Sequence, residues 1–165
     1  MTSTLISPHG KSLIDCYCKK EEVSNYKNQA THYNSHTLSD RQLCDLELIL
    51  NGAFSPLDGF MIQEDYNSVL KNNRLSNGTI WPMPIILDVK SNLAGIVEIN
   101  DKLALRDKEG YLIAILDVND KWDYDKKREA EKVYGTTDVT HSGVRYLFEY
   151  SGDVCLGGKL IGVEK

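Results

Sequence analysis

The sequence predicts a mixed α+β domain: a small, twisted, barrel-like sheet with helices packed around it. Three observations predict it. Helical periodicities concentrate in the first half of the chain, strand-like runs lie mostly after Trp81, and the two do not alternate as βαβ units. That pattern argues against a doubly wound parallel sheet. No internal repeat or low-complexity linker divides the 165 residues, a length that suits one domain spanning 1–165. Folding at that length buries about 70% of the unfolded surface, enough for a core without staples.

Taken in order, Leu5 to Asp15 reads as an extended opening segment with a turn at His9-Gly10. Lys19 to Ala30 places Val23, Tyr26 and Ala30 at helical spacing, which predicts a short surface helix. The stretch Ser39 to Met61, SDRQLCDLELILNGAFSPLDGFM, is the most informative. Ser39 with Gln42 three residues on is a capping box, in which hydroxyl and amide satisfy the free backbone donors of a helix start. Leu43, Leu46 and Leu50 follow as one apolar stripe, and Asn51-Gly52 marks a left-handed C-cap. Two turns then carry Phe54, Leu57, Phe60 and Met61. Turns this apolar are expected either in the core or on a face that docks a further domain.

Glu64 to Asn73 predicts a helix with Tyr66, Val69 and Leu70 on its inner side, and Ser76-Asn77-Gly78 predicts a turn. Pro82 and Pro84 remove ladder donors, so a regular strand is expected only over Ile85 to Val89, with both faces covered. Leu103 to Val118 reads as a hairpin turning at Asp107-Lys108-Glu109-Gly110. Asp123 to Tyr134 returns to helix with Gly135 as its stop, and a further helix is expected over Ser142 to Glu149. Gly152 to Val163 reads as a glycine-bent strand.

Charge and cysteine content restrict the function classes. A net charge of -5 argues against nucleic acid and against anionic membrane surfaces, both of which need a basic face. Between Asp120 and Lys132 five basic and five acidic residues mix, which reads as a solvated face. No apolar run approaches membrane-spanning length and no secretory leader opens the chain. Cys44 in a helix and Cys155 in a strand read as buried free thiols. Cys16 and Cys18 are too close for a usual disulfide and wrongly spaced for a zinc knuckle. A reducing, cytoplasmic setting is the expectation.

Five blocks, LISPHG, the Ser39 to Met61 stretch, WPMPIILDV, LALRDKEGYLIAIL and YGTTDVTHSGVRYLFE leading into GDVCLGGKLIGV, together resemble the amino-terminal domain of ATP sulfurylase (sulfate adenylyltransferase). The resemblance covers essentially the whole chain in the family's order. It implies a PUA-like fold and a nucleotidyltransferase parent of sulfate assimilation. That parent joins sulfate to the α-phosphate of ATP, with Mg²⁺, releasing pyrophosphate and forming adenosine 5′-phosphosulfate. It also implies two partners: the parent's own catalytic domain and further copies in a homo-oligomer. The family's Gln-x-Arg-Asn-Pro and His-x-x-His segments, which belong to that later domain, do not occur here. No catalytic, cofactor-binding or metal residue is therefore assigned, and the chain alone is expected to be inactive. The alternative is an autonomous PUA-like RNA- or ligand-binding module.

Other candidates were weighed on their residues. Gly157-Gly158-Lys159 follows a strand but leads into more strand, so it lacks the helix terminus that holds phosphate and reads as a bent edge strand. Asp40-Arg41 reads as a helix-start charge arrangement in preference to a functional pair. His32 and His36 lack a third ligand at metal spacing. His9, His141, Cys16 and Cys18 would form a site only if the fold gathered them.

Overall fold

A computed structural model describes residues 7–163. Leu5 and Ile6 of the opening segment lie outside the described residues; the turn that follows is present, with Lys11 N donating to Pro8 O at 2.9 Å. Helix α1 (Val23–Gln29) lies between two 3-10 turns, Lys20–Glu22 and Ala30–His32. Strand β1 (Asn34–Thr37) leads into α2 (Asp40–Leu50), then β2 (Gly59–Phe60) and α3 (Gln63–Asn72). Next come β3 (Leu87–Val89), α4 (Ser91–Ala94), β4 (Lys102–Arg106) and β5 (Leu112–Asp123). Helix α5 (Lys126–Glu129) runs directly into a π-helical segment, Ala130–Tyr134, followed by α6 (Ser142–Glu149) and β6 (Val154–Gly162).

The capping box forms as expected: Gln42 N donates to Ser39 Oγ at 3.3 Å, and Ser39 N donates to Gln42 Oε1 at 3.1 Å. Gly52 follows α2 with φ of 82°, the left-handed conformation that glycine takes without a Cβ clash. The α2 stripe is widened by Ile49, which is as deeply buried as Leu46 and Leu50.

The strands form one six-stranded sheet in the order β1-β4-β5-β6-β2, with β3 also paired to β6. β1 runs parallel to β4, and every other pairing is antiparallel. β6 is the hub. It pairs with β5 along one side and with β2 and then β3 along the other. This corrects the expectation of a bent edge strand at Gly157-Gly158. The reason is steric: a Cβ on Gly158 would stand 1.9 Å from Asp117 O, and one on Gly59 would stand 1.8 Å from Gly158 O. Bare backbone is what lets three strands meet there. Opposite the glycine pair β5 bulges at Asn119, between Val118 and Asp120.

The sheet buries both faces. Leu103 and Leu105 of β4 join the main cluster, with Leu46, Phe60, Tyr66, Leu87 and Leu156, while the intervening Ala104 faces a second cluster with Ala30, Ile115 and Val163. That alternation is the two-residue period of a strand. The apolar turns resolve to core packing: Leu57, Phe60 and Met61 are all buried. Two element boundaries differ from expectation. β5 continues through Asp123, because Trp122 still packs into the core, so the following helix starts at Lys126. β1 carries no apolar alternation; it is a mostly exposed outer strand whose ladder to β4 alone defines it.

Candidate functional site

The polar interior is built outward from α2. Gln42 is 3% exposed, and its amide closes the capping box on one side and reaches β3 on the other. Its Nε2 donates to Asp88 O at 2.7 Å and to Asp88 Oδ1 at 3.2 Å. Asp88 Oδ2 accepts from Gly152 N at 2.6 Å, which ties the loop after α6 to β3. His36 Nε2 lies 3.0 Å from Gln42 Oε1. An amide oxygen only accepts, so His36 donates there and carries its proton on Nε2. Burial depresses its pKa, with the Gln42 hydrogen bond and Asp88 pulling the other way.

Arg41 turns inward from the same helix. Its guanidinium lies 3.6 Å from Asp45, 3.8 Å from Asp88 and 5.1 Å from the Tyr146 ring centre. Burial opposes its charge, but Asp45 and Asp88 outweigh that and keep it cationic. Asp40 points the other way, to Lys108 at 2.5 Å. The Asp40-Arg41 dipeptide therefore splits: one residue sits on the surface, the other supports the interior. Glu129, 4% exposed, completes the buried set near Tyr66 and Tyr124. Over the network lies a pocket of about 250 Å³ lined in part by His36, Ser39, Gln42, Lys90, Tyr146 and Tyr150.

The remaining candidates have separate partners. His9 Nε2 meets Ile80 O at 2.7 Å beside Trp81. His141 caps α6 through Val144 N and stacks 4.8 Å from Tyr134. Cys16 Sγ faces Asp58 O at 3.7 Å, and burial raises its pKa to about 11, away from thiolate chemistry. His32 lies in a 3-10 turn, apart from the Gln42 contact that holds His36. Among the described residues no group of three or more His, Cys, Asp or Glu side chains is placed to hold a metal ion. Lys159 pairs with Asp58 at 3.0 Å on the surface. One thiol differs from expectation: Cys44 is exposed, because it faces away from the Leu46-Ile49-Leu50 stripe, whereas Cys155 is buried as expected.

Sequence reasoning missed Asp88 and Glu129. Asp88 interrupts an otherwise apolar strand, and Glu129 was read into a solvated face. The available signal for Glu129 was its position four residues before Val133 on the helix's apolar side.

Fold and interior together define a small α+β module whose buried polar groups bind its elements to one another. The chain belongs to the PUA-like domain family, which it matches over residues 6–165. It also matches the N-terminal part of sulfate adenylyltransferases. It is 50% identical over 139 residues to that of Schizosaccharomyces pombe, covering 83% of this chain and 28% of the relative. It is 40% identical over 153 residues to that of a Synechococcus species, covering 93% of this chain and 39% of the relative. The solved structure of a hexameric APS kinase from Thiobacillus denitrificans matches with a TM-score of 0.74 at 29% identity, covering 96% of this chain and 27% of that one. The chain thus spans between 28% and 40% of the length of the curated relatives it matches.

Proposed function

We propose that this chain is the non-catalytic N-terminal domain of a sulfate adenylyltransferase, a scaffold that flanks the region carrying out the transfer. The observation that carries the reading is near-complete similarity to the leading part of those enzymes, joined to the absence of Gln-x-Arg-Asn-Pro and His-x-x-His from this sequence. Transfer of an adenylyl group to sulfate, a poor nucleophile, depends on convergent cationic groups and Mg²⁺ around the reacting phosphate. Here the one inward guanidinium described above, Arg41, is already engaged by two carboxylates. ATP, sulfate and Mg²⁺ are accordingly assigned to the parent protein, and the catalytic region of the same parent is the partner. The parent is proposed to work in the cytoplasm and as a homo-oligomer, in keeping with the hexameric structural neighbour.

The test is pyrophosphate release from ATP, sulfate and Mg²⁺. The purified 165-residue chain is expected to give none above background. The protein extended by the region that follows in its relatives is expected to turn over. Turnover by the chain alone at an ordinary enzyme's rate, about 1 per second or more, refutes the reading.

A further inference from the structure

The stretch between β5 and β6 carries α5, the π segment and α6. Ala130, Val144 and Leu147 give it an apolar anchor. Its polar anchors reach the interior: Tyr146 lies against Arg41, Gly152 N donates to Asp88, and Glu129 enters the core. Glu129 is the last residue of α5, directly before the π turn, a local widening that often marks a functional position.

Titratable groups from every neighbouring element act on Glu129. Tyr66 comes from α3, Tyr124 from the end of β5, Asp88 from β3 and Arg41 from α2. Cys155 of β6 and Tyr134 of the π segment feel its charge in turn. Arg128, beside it in sequence, points outward to Asn67 at 2.7 Å. The charge count is unfavourable to a third anion: Asp45 and Asp88 already face Arg41, and Glu129 has no ion pair of its own among the described residues. Glu129 Oε2, Tyr66 Oη and Tyr124 Oη also lack hydrogen bonds of full geometry, although both hydroxyls are near enough to act on the carboxyl. A buried carboxyl without a cation takes up a proton in preference to remaining charged.

We propose that Glu129 is held inside the protein as a neutral carboxylic acid, and that loss of its proton to solvent loosens the α5–π–α6 insertion from the sheet. Burial moves Glu129 in the required direction, above its ordinary value, against the pull of Tyr124, Tyr66 and Arg41. The folded protein then keeps a proton that the unfolded chain has lost, so stability declines as pH rises above the ordinary glutamate range. This is opposite in sign to the usual surface carboxylate.

Thermal unfolding of the wild type and Glu129→Gln, from pH 5 to pH 9, tests the proposal, because Gln keeps the shape of the neutral acid. Across that range the wild-type Tm is expected to fall by about 2–4 °C more than that of the variant. Amides of residues 126–149 are expected to gain hydrogen exchange relative to those of β5 and β6 in the wild type alone, after allowance for base catalysis. Equal slopes in the two proteins overturn the proposal. Infrared spectra of wild type labelled with ¹³C-glutamate read the proton directly. A shifted carboxylic-acid carbonyl band at neutral pH is expected, and its absence overturns the proposal whether or not the variant folds.

Discussion

Gln42 reaches Asp88 across 46 positions of sequence, its Nε2 lying 2.7 Å from the Asp88 carbonyl oxygen, while its Oε1 serves the Ser39 backbone and His36. One buried amide thus closes a helix cap and joins α2 to β1 and β3.

Removing it should be costly out of proportion to its size. Gln42→Ala leaves Ser39 N, His36 Nε2 and Asp88 Oδ1 each short of a partner, and a buried polar group left unsatisfied costs about 1–3 kcal/mol. Urea unfolding is expected to show a loss of at least about 2 kcal/mol with an unchanged m-value. Ser39→Ala, which removes only the cap hydroxyl, should cost about 1 kcal/mol.

His36 gives the protein an acid limit. Its pKa is depressed in the folded state by burial, so below about pH 6.5 the unfolded chain binds a proton that the folded protein resists. Stability from this residue is complete above that value and is lost as pH falls through and below it. Tm measured from pH 7 down to pH 5 is expected to decline in the wild type and to decline less in His36→Gln. A steeper decline in the variant would contradict the buried-neutral assignment.

The parts of this fold with local chemistry were legible, and those made by distant pairing were not. Ser39, Gln42 and Gly52 announce α2 by capping alone, and Asp107 to Gly110 announces its hairpin by turn residues. β1 is written in Asn34, Ser35, His36 and Thr37, which are polar because the strand is mostly exposed, and only β4 makes them a strand. Glu129 looked solvated because every neighbour from Asp125 to Arg128 is charged. What buries it is Tyr66, from another helix, and no periodicity within its own segment carries that information. Arg41 was legible as structural, but its partner Asp88 lies in an apolar strand where sequence gives no reason to look for a charge.

The crossing of β2, β5 and β6 supplies the sharpest steric prediction. Gly158 has a φ of 152° and its missing Cβ would lie 1.9 Å from Asp117 O and 2.9 Å from Asn119 N. Both neighbours are backbone, held in the β5 ladder, so neither can swing aside as a side chain would. Gly158→Ala must therefore separate β6 from β5 at the bulge or break the β2 pairing at Phe60. A loss of about 3 kcal/mol or more is expected, comparable to severe overpacking. Gly110→Ala is the control: its φ of 91° also favours glycine, yet no atom lies within 4 Å of the added Cβ. That change should cost about 1–2 kcal/mol, the backbone term alone. Denaturant unfolding of the two variants side by side separates crowding from conformational strain, and a Gly158→Ala protein no less stable than Gly110→Ala would refute the crossing as a steric constraint.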